Sequence, residues 1–504
     1  MLASVATFAI EGVDSREVTV EVDSRRGLPA FTIVGLPDPA VREARERVRA
    51  ALLNSGLEFP LRRLTANLAP AHLRKAGPSF DLALAVAVLA GSGQLPCSDL
   101  SGYAVCGELS LGGLVRPIEG AVAIAHGARS VGYPRLIIPV ENAAEAALVE
   151  GIEVFGVPSL DRIVALLRGS WRPDPPRARP VSSVPAPEDL DLTDVRGQAD
   201  AKRALEIAAA GGHNLLMIGP PGVGKTMLAR RLPGILPPPS VEESLEITRI
   251  HSVAGLSGRT LVSQRPFRAP HHTVSASGLV GGGVVPRPGE ITLAHRGVLF
   301  LDELAEFSRT ALEALRQPLE EGRVEIVRGQ RSIVFPAAAM LVAACNNCPC
   351  ARSPDDCACT AADRARYAAR LSHALLDRID LVCRLEAGLP SAATASGARS
   401  GSAVARGRAL AARERQSRRL VESGVFCNAG MDARLTRRYV ELTPSARSRL
   451  VEAQEGGSLT GRGHDRVLRI ARTIADLAAR PQIEPSDLDE ALGFRLGSGM
   501  RAAA

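Results

Sequence analysis

Runs of alternating apolar and polar residues open the chain. In EVTVEV (Glu17–Val22) and AFTIVG (Ala30–Gly35) about every second position is apolar, the period of a strand with one face buried. RLIIPV (Arg135–Val140) is a third strand-like run. PAVREARERVRAALLNSG (Pro39–Gly56) and SFDLALAVAVLAG (Ser79–Gly91) have helical spacing. Residues 1–168 therefore read as one α/β or α+β domain. The proline-dense WRPDPPRARPVSSVPAPED that follows can build neither a helix nor an inner strand, so 169–189 reads as a linker. From 190 to 388 apolar strand runs alternate with helices, the pattern of a parallel sheet. Small polar residues at 389–403 suggest a flexible connection, and 404–504 reads helical. Pro444, Pro481 and Pro485 are placed at helix starts, where a missing N–H costs little.

Composition narrows the class. At 504 residues, 46% hydrophobic and 23% charged, the chain has the make-up of a soluble globular protein of about three domains. No apolar run reaches the ~18 residues of a membrane span, and no basic-then-apolar leader opens the sequence. A cytoplasmic protein with no membrane partner is expected. In that compartment nine cysteines argue against a disulfide framework. Cys97, Cys106, Cys345, Cys383 and Cys427 are scattered and read as small buried hydrophobes. The net charge of +7 is carried by arginine, since only Lys75, Lys202 and Lys225 are lysines. Residues 399–480 hold 17 arginines against 8 acidic residues. That surplus fits a polyanion partner, although a solvated helical surface would look the same.

The chemistry is concentrated in three stretches. In NLLMIGPPGVGKTMLARRL (Asn214–Leu232) a short apolar strand runs into G-x-x-x-x-G-K-T and then into a helix. Such a loop, Gly219, Pro220, Pro221, Gly222, Val223, Gly224, Lys225 and Thr226, curls backbone N–H groups around phosphates at a helix N-terminus. Lys225 supplies a point charge to the β and γ phosphates of ATP, and Thr226 can ligate Mg²⁺. Downstream, GVLFLDELAEF places Asp302 and Glu303 at the end of an apolar strand, where phosphate sites of parallel sheets lie. Asp302 suits Mg²⁺, and Glu303 suits the general base that polarises water. A third stretch, NNCPCARSPDDCACT, spaces Cys348, Cys350, Cys357 and Cys359 as C-x-C-x6-C-x-C. Four thiolates in two close pairs can enclose a structural Zn²⁺; a reduced, metal-free loop or an iron–sulfur cluster are the other options.

These stretches, with RAPHHTVSASGLVGGG, LLDRIDL and RVLRIARTIADLA, resemble the magnesium-chelatase-like family of AAA+ ATPases that includes YifB and the competence protein ComM. The likeness runs over nearly the whole chain. It implies an AAA+ P-loop core at 190–388 with a C-terminal helical lid at 404–504, preceded by a Lon-protease-like α/β domain at 1–168. It places Asn346 at the sensor-1 position, Arg378 as the arginine finger that reaches a neighbouring subunit's ATP, and Arg462 at sensor 2. Asn347 stands where the family usually has proline. The cysteine insertion, 345–360, falls between sensor 1 and the finger. A finger acting in trans implies a homo-hexameric ring.

EEGRVEIVRGQRSIVFPA reads as a β-hairpin with RGQR at its turn. In the resembled branch such a hairpin points into the ring pore, where Arg328 and Arg331 suit a phosphate backbone. The glycine-rich Ser277–Gly283 resembles a second pore loop. The adjacent His271 and His272 read as unsuited to share a metal, since neighbouring residues point apart on most backbones. In the N-terminal domain Ser79 occupies the Lon nucleophile position, but the lysine position falls on Val122. Lys75 lies in the wrong motif, so proteolysis is not expected. The resemblance implies an ATP-driven DNA motor for helicase or branch-migration work in recombination or natural transformation, with recombination proteins as possible partners. A remodelling ATPase acting on a protein, or a metal-chelatase motor subunit, are the alternatives.

Overall fold

The computed structural model describes the chain except residues 97–99, 177–189, 257–260, 284–285, 329–330, 351, 353–356, 372, 387–400, 456–458, 460 and 496–504; the side chains of 328, 331, 373, 374, 461 and 462 are also outside the described set. Two compact units emerge, Met1–Ser182 with Val241–Ser263, and Ser183–Ser240 with Gln264–Ala504.

The first unit is built on seven strands: β1 (Leu2–Glu11), β2 (Asp14–Arg25), β3 (Ala30–Val34), β4 (Arg63–Ala69), β5 (Tyr103–Val105), β6 (Arg135–Pro139) and β7 (Glu153–Val157). Their spatial order is β3-β4-β2-β1-β5-β6-β7. The alternation in EVTVEV does what its period requires: Val18, Val20 and Val22 are fully buried while the residues between them turn outward. Helix α1 (Pro39–Asn54) starts on Asp38, whose carboxylate accepts from the Val41 amide at 2.8 Å, and buries Val41, Ala44, Val48 and Ala51 along one stripe. Helix α2 (Asp81–Gly91) is apolar all round and is buried on every side. Its one charge, Asp81, meets Arg47 in a forked pair at 2.7 and 3.0 Å. Helix α3 (Ala121–Val131) carries Val122 into the core. A further helix, Val241–Val253, belongs to this unit although by sequence it falls within 190–388.

The second unit holds helix α4 (Ala199–Gly211), strand β8 (Leu215–Ile218) and helix α5 (Lys225–Ile235) in succession. Strands β9 (Phe267–Arg268), β10 (Val298–Leu301), β13 (Met340–Cys345) and β14 (Leu381–Arg384) complete a five-stranded sheet in the order β9-β10-β13-β8-β14, parallel throughout. Strands covered on both faces should read as continuous apolar runs, and β8, β10 and most of β13 and β14 do. β11 (Arg323–Arg328) and β12 (Arg331–Pro336) pair antiparallel as the expected hairpin. Beyond the cysteine segment come helix α6 (Ala361–Ala368), then the lid: α7 (Ser402–Leu420), α8 (Pro444–Glu455), α9 (Gly461–Leu477) and α10 (Pro485–Gly493). Pro444 and Pro485 begin helices. Pro481 does not; it lies in the turn after α9, where residues 478–482 reverse the chain. Of the scattered cysteines, Cys106, Cys345 and Cys383 are buried as expected, Cys427 is only half-buried, and Cys97 lies outside the described residues. The fold is α/β, with a parallel AAA+ core, a helical lid and a separate α/β N-terminal unit. No described helix is long and apolar enough to cross a membrane.

Candidate active site

Register brings the separate motifs to one edge. Ile218 pairs with Cys345, and Leu301 with Ala343, so Gly219, Asn346 and Asp302 leave the sheet at neighbouring carboxyl ends. Gly219 is glycine for a steric reason: a Cβ there would stand 2.6 Å from the Leu385 carbonyl oxygen. Gly222 and Gly224 have φ of 79° and 94°, left-handed conformations open to glycine, just before α5 begins.

Lys225 is buried. Its ammonium donates to the carbonyls of Gly219 at 2.6 Å and Pro220 at 2.9 Å, and to Asn346 Oδ1 at 3.0 Å. Burial lowers its pKa, partly opposed by Cys345, Asp302 and Glu303. Thr226 Oγ1 donates to Asp302 Oδ2 at 2.6 Å. Adjacent ligands of an octahedral Mg²⁺ stand ~3.0 Å apart, given Mg–O near 2.1 Å. The pair fits once the hydroxyl turns its proton away. Asp302 Oδ1 accepts from the Glu303 amide at 3.0 Å. Glu303 itself sits at φ 52°, ψ 49°, with its carboxylate 3.6 Å from His272 Nδ1. The rings of His271 and His272 lie 4.1 Å apart, so the pair does not splay as the sequence suggested, and the partly exposed His272 has its Nδ1 beside the acid.

Asn346 is held from two sides. Its amide oxygen receives Lys225, and its backbone lies against Tyr367 of α6, whose phenol is pushed up to about 12, mainly by burial. Arg378 is mostly covered, with 16% of its side chain exposed, and pairs with Glu320 Oε2 at 2.5 Å. Arg462 lies in the first turn of α9, and its side chain is outside the described residues. Four positions along the same helix Arg466 is buried, donating to the Asp377 carbonyl next to Arg378. Sequence reasoning missed Arg466, Tyr367 and Glu320, because nothing local marks them. The final cross-strand pair of the hairpin is Arg328 with Arg331, whose side chains lie outside the described residues.

The four cysteines converge. Their Sγ atoms all lie within 4.8 Å of one another, with pairs at 3.2, 3.5 and 3.7 Å among Cys348, Cys350 and Cys357. Zinc bonded to sulfur at about 2.3 Å sets sulfur atoms ~3.8 Å apart in a tetrahedron, so the donor set fits. The Arg352 amide and Cys348 lower the Cys350 thiol to about 6, whereas burial raises Cys348 to about 12. In the first unit, Ser79 lies in the turn Pro78–Phe80 and Val122 is buried in α3. Lys75 is fully buried and donates to the Pro70 carbonyl.

Three descriptions of the magnesium chelatase subunit ChlI cover most of the chain: subunit ChlI at 191–392, a second ChlI region at 20–142, and the ChlI C-terminal region at 399–495. The chain is 43% identical over 499 residues to the uncharacterized protein YifB of Escherichia coli, spanning 98% of this chain and 97% of that one. It is 42% identical over 511 residues to the competence protein ComM of Haemophilus influenzae, with the same coverage. The chain belongs to the YifB/ComM magnesium-chelatase-like family. A shorter likeness, 29% over 139 residues, links 26% of the chain to Lon protease 2 of Bacillus subtilis. Membership in the YifB/ComM family makes ATP and Mg²⁺ the natural occupants of the loop around Lys225.

Proposed function

We propose that this chain is an ATP-driven DNA motor, working as a homo-hexameric ring in helicase or branch-migration steps of recombination or natural transformation. The convergence of Lys225, Thr226, Asp302, Glu303 and Asn346 at the carboxyl ends of three adjacent parallel strands carries the ATPase part. In this reading Lys225 exchanges its carbonyl partners for phosphate oxygens. Thr226 and Asp302 would hold Mg²⁺, which would supply charge neutralisation at the phosphates. Glu303 takes the proton of the attacking water, and Asn346 orients that water. Arg378 leaves Glu320 to steady the charge on a neighbour's γ-phosphate. Its opening step is thus a competition between a carboxylate in cis and a phosphate in trans.

Support for DNA is the likeness to ComM, the arginine pair that closes the hairpin, and the arginine surplus of 399–480. The test is ATP turnover with and without DNA, followed by strand migration on a four-way junction. Stimulation and migration are expected; the absence of both would refute the DNA motor and favour a remodelling ATPase for a protein partner. Arg328→Ala and Arg331→Ala should weaken DNA binding and flatten its salt dependence. The same reading gives the cysteine cluster a structural Zn²⁺, held by Cys348, Cys350, Cys357 and Cys359. Protein purified without a histidine tag should carry about one zinc per chain; a near-zero content would end that assignment.

A further inference from the structure

His213 and Asn214, just ahead of β8, have no part in the chemistry above, yet three functional segments meet on them. Asn214 Nδ2 donates to the Arg378 carbonyl at 2.8 Å, and its Oδ1 accepts from the Leu341 amide at 2.8 Å. Leu341 lies in β13, the strand that delivers Asn346. The Asn214 carbonyl also accepts from the amides of Asp380 at 3.0 Å and Leu381 at 2.9 Å. His213 is fully buried. Its Nε2 lies 2.8 Å from Thr473 Oγ1 of lid helix α9, the helix whose first turn carries Arg462. On the other side its Nδ1 stands 3.5 Å from Asp380 Oδ2, two residues beyond Arg378, without a hydrogen bond in this arrangement.

The surroundings are shaped for this ring. A Cβ on Gly211 would stand 2.3 Å from the imidazole, and Gly212, at φ 73°, turns the chain out of α4 into it. Thr473 Oγ1 donates to the Arg469 carbonyl at 2.9 Å and receives Asn428 Nδ2 at 3.0 Å. Asp380 Oδ2 also receives the Asn214 amide at 3.2 Å, with Arg469 at 3.8 Å from Oδ1. Burial favours the neutral imidazole. A neutral ring has a single N–H. While Thr473 gives its proton to Arg469, that N–H must be on Nε2, and the ring holds the lid. With the proton on Nδ1 the ring holds Asp380, and Thr473 has to turn its own proton to Nε2.

We propose that His213 is a positioning residue that links the finger segment Asp377–Asp380 to lid helix α9, donating to one or the other, while Asn214 anchors the finger to the P-loop strand. The proposal rests on Arg378 acting on the ATP of a neighbouring subunit. Movement of the lid on nucleotide turnover then reaches the finger through a side chain that touches no nucleotide.

The test is steady-state ATP turnover of full-length His213→Ala, His213→Asn and His213→Gln beside Arg378→Ala. The asparagine amide approximates Nδ1 and keeps the Asp380 arm; the glutamine amide approximates Nε2 and keeps the Thr473 arm. His213→Ala should lower kcat by about tenfold with KM within about threefold, and each amide should restore only part of it. Mixing His213→Ala with Lys225→Ala subunits supplies a fault-free finger from a subunit that cannot turn over ATP. Recovery of turnover per His213→Ala subunit is expected, whereas damage confined to the variant's own fold would not be rescued. Wild-type kcat in His213→Ala with a dead Arg378→Ala, or no recovery on mixing, would overturn the proposal. Full turnover in Arg378→Ala would instead remove the trans-acting finger, and this proposal with it.

Discussion

Glu303 offers a test in which stability and activity should move apart. Its backbone is left-handed, φ 52° and ψ 49°, in a residue that has a Cβ. That conformation costs an L-residue about 1–2 kcal/mol, and glycine is free of it. Glycine gives back roughly 0.5–1 kcal/mol in unfolded-chain entropy. The side chain is 55% exposed and its carboxylate lies 3.6 Å from His272 Nδ1, so truncation removes little packing. Glu303→Gly should therefore be more stable than Glu303→Ala by roughly 0.5–1 kcal/mol, a degree or two in the unfolding midpoint of a unit this size. Both variants lose the proposed base, so turnover should drop about 10²–10⁴-fold while ATP affinity holds within about twofold. Thermal unfolding of both proteins, nucleotide titration and single-turnover hydrolysis read the three quantities. If Glu303→Ala were the more stable variant, no strain is stored at this position. If either variant kept its turnover, Glu303 is not the base.

Lys225→Ala should abolish ATP binding or turnover, and intact turnover would refute the phosphate-loop assignment. On the proposed zinc and ring assignments, Cys348→Ser should lower metal content and weaken stability or assembly before ATP affinity changes, measured by metal analysis, thermal unfolding and sedimentation. Arg47→Met leaves Asp81 buried without its partner, for a loss of about 3 kcal/mol in the first unit by denaturant titration at neutral pH. Burial already raises the Asp81 pKa against the pull of Arg47. A folded-state pKa above the unfolded value means the folded form binds the proton more tightly. The deficit of Arg47→Met should then shrink as pH falls through the folded pKa toward the ordinary carboxylate range. A deficit that grew on acidification would show that Asp81 is not the stranded charge.

Local chemistry carried what the sequence by itself determined. The strand–loop–helix around Lys225, the acidic pair after an apolar strand, the hairpin and the four cysteines are each complete within about twenty residues, so spacing alone marks them. Fine geometry was already beyond that reach: the histidines that face the same way, and the proline in a turn rather than at a helix start, depend on what packs against them. Tertiary structure alone decided how the pieces are joined. Asn214 ties β13 to Arg378 across 127 and 164 positions, His213 reaches Thr473 across 260, and Arg466 reaches Asp377 across 89. No periodicity links residues so far apart; parallel register and the seating of the lid bring them within hydrogen-bond distance. Burial then makes each such contact costly to break, because a buried polar group has no water to turn to. The sequence thus spelled out the candidate reacting groups, and the packing of the lid against the sheet decided which side chains hold them in place.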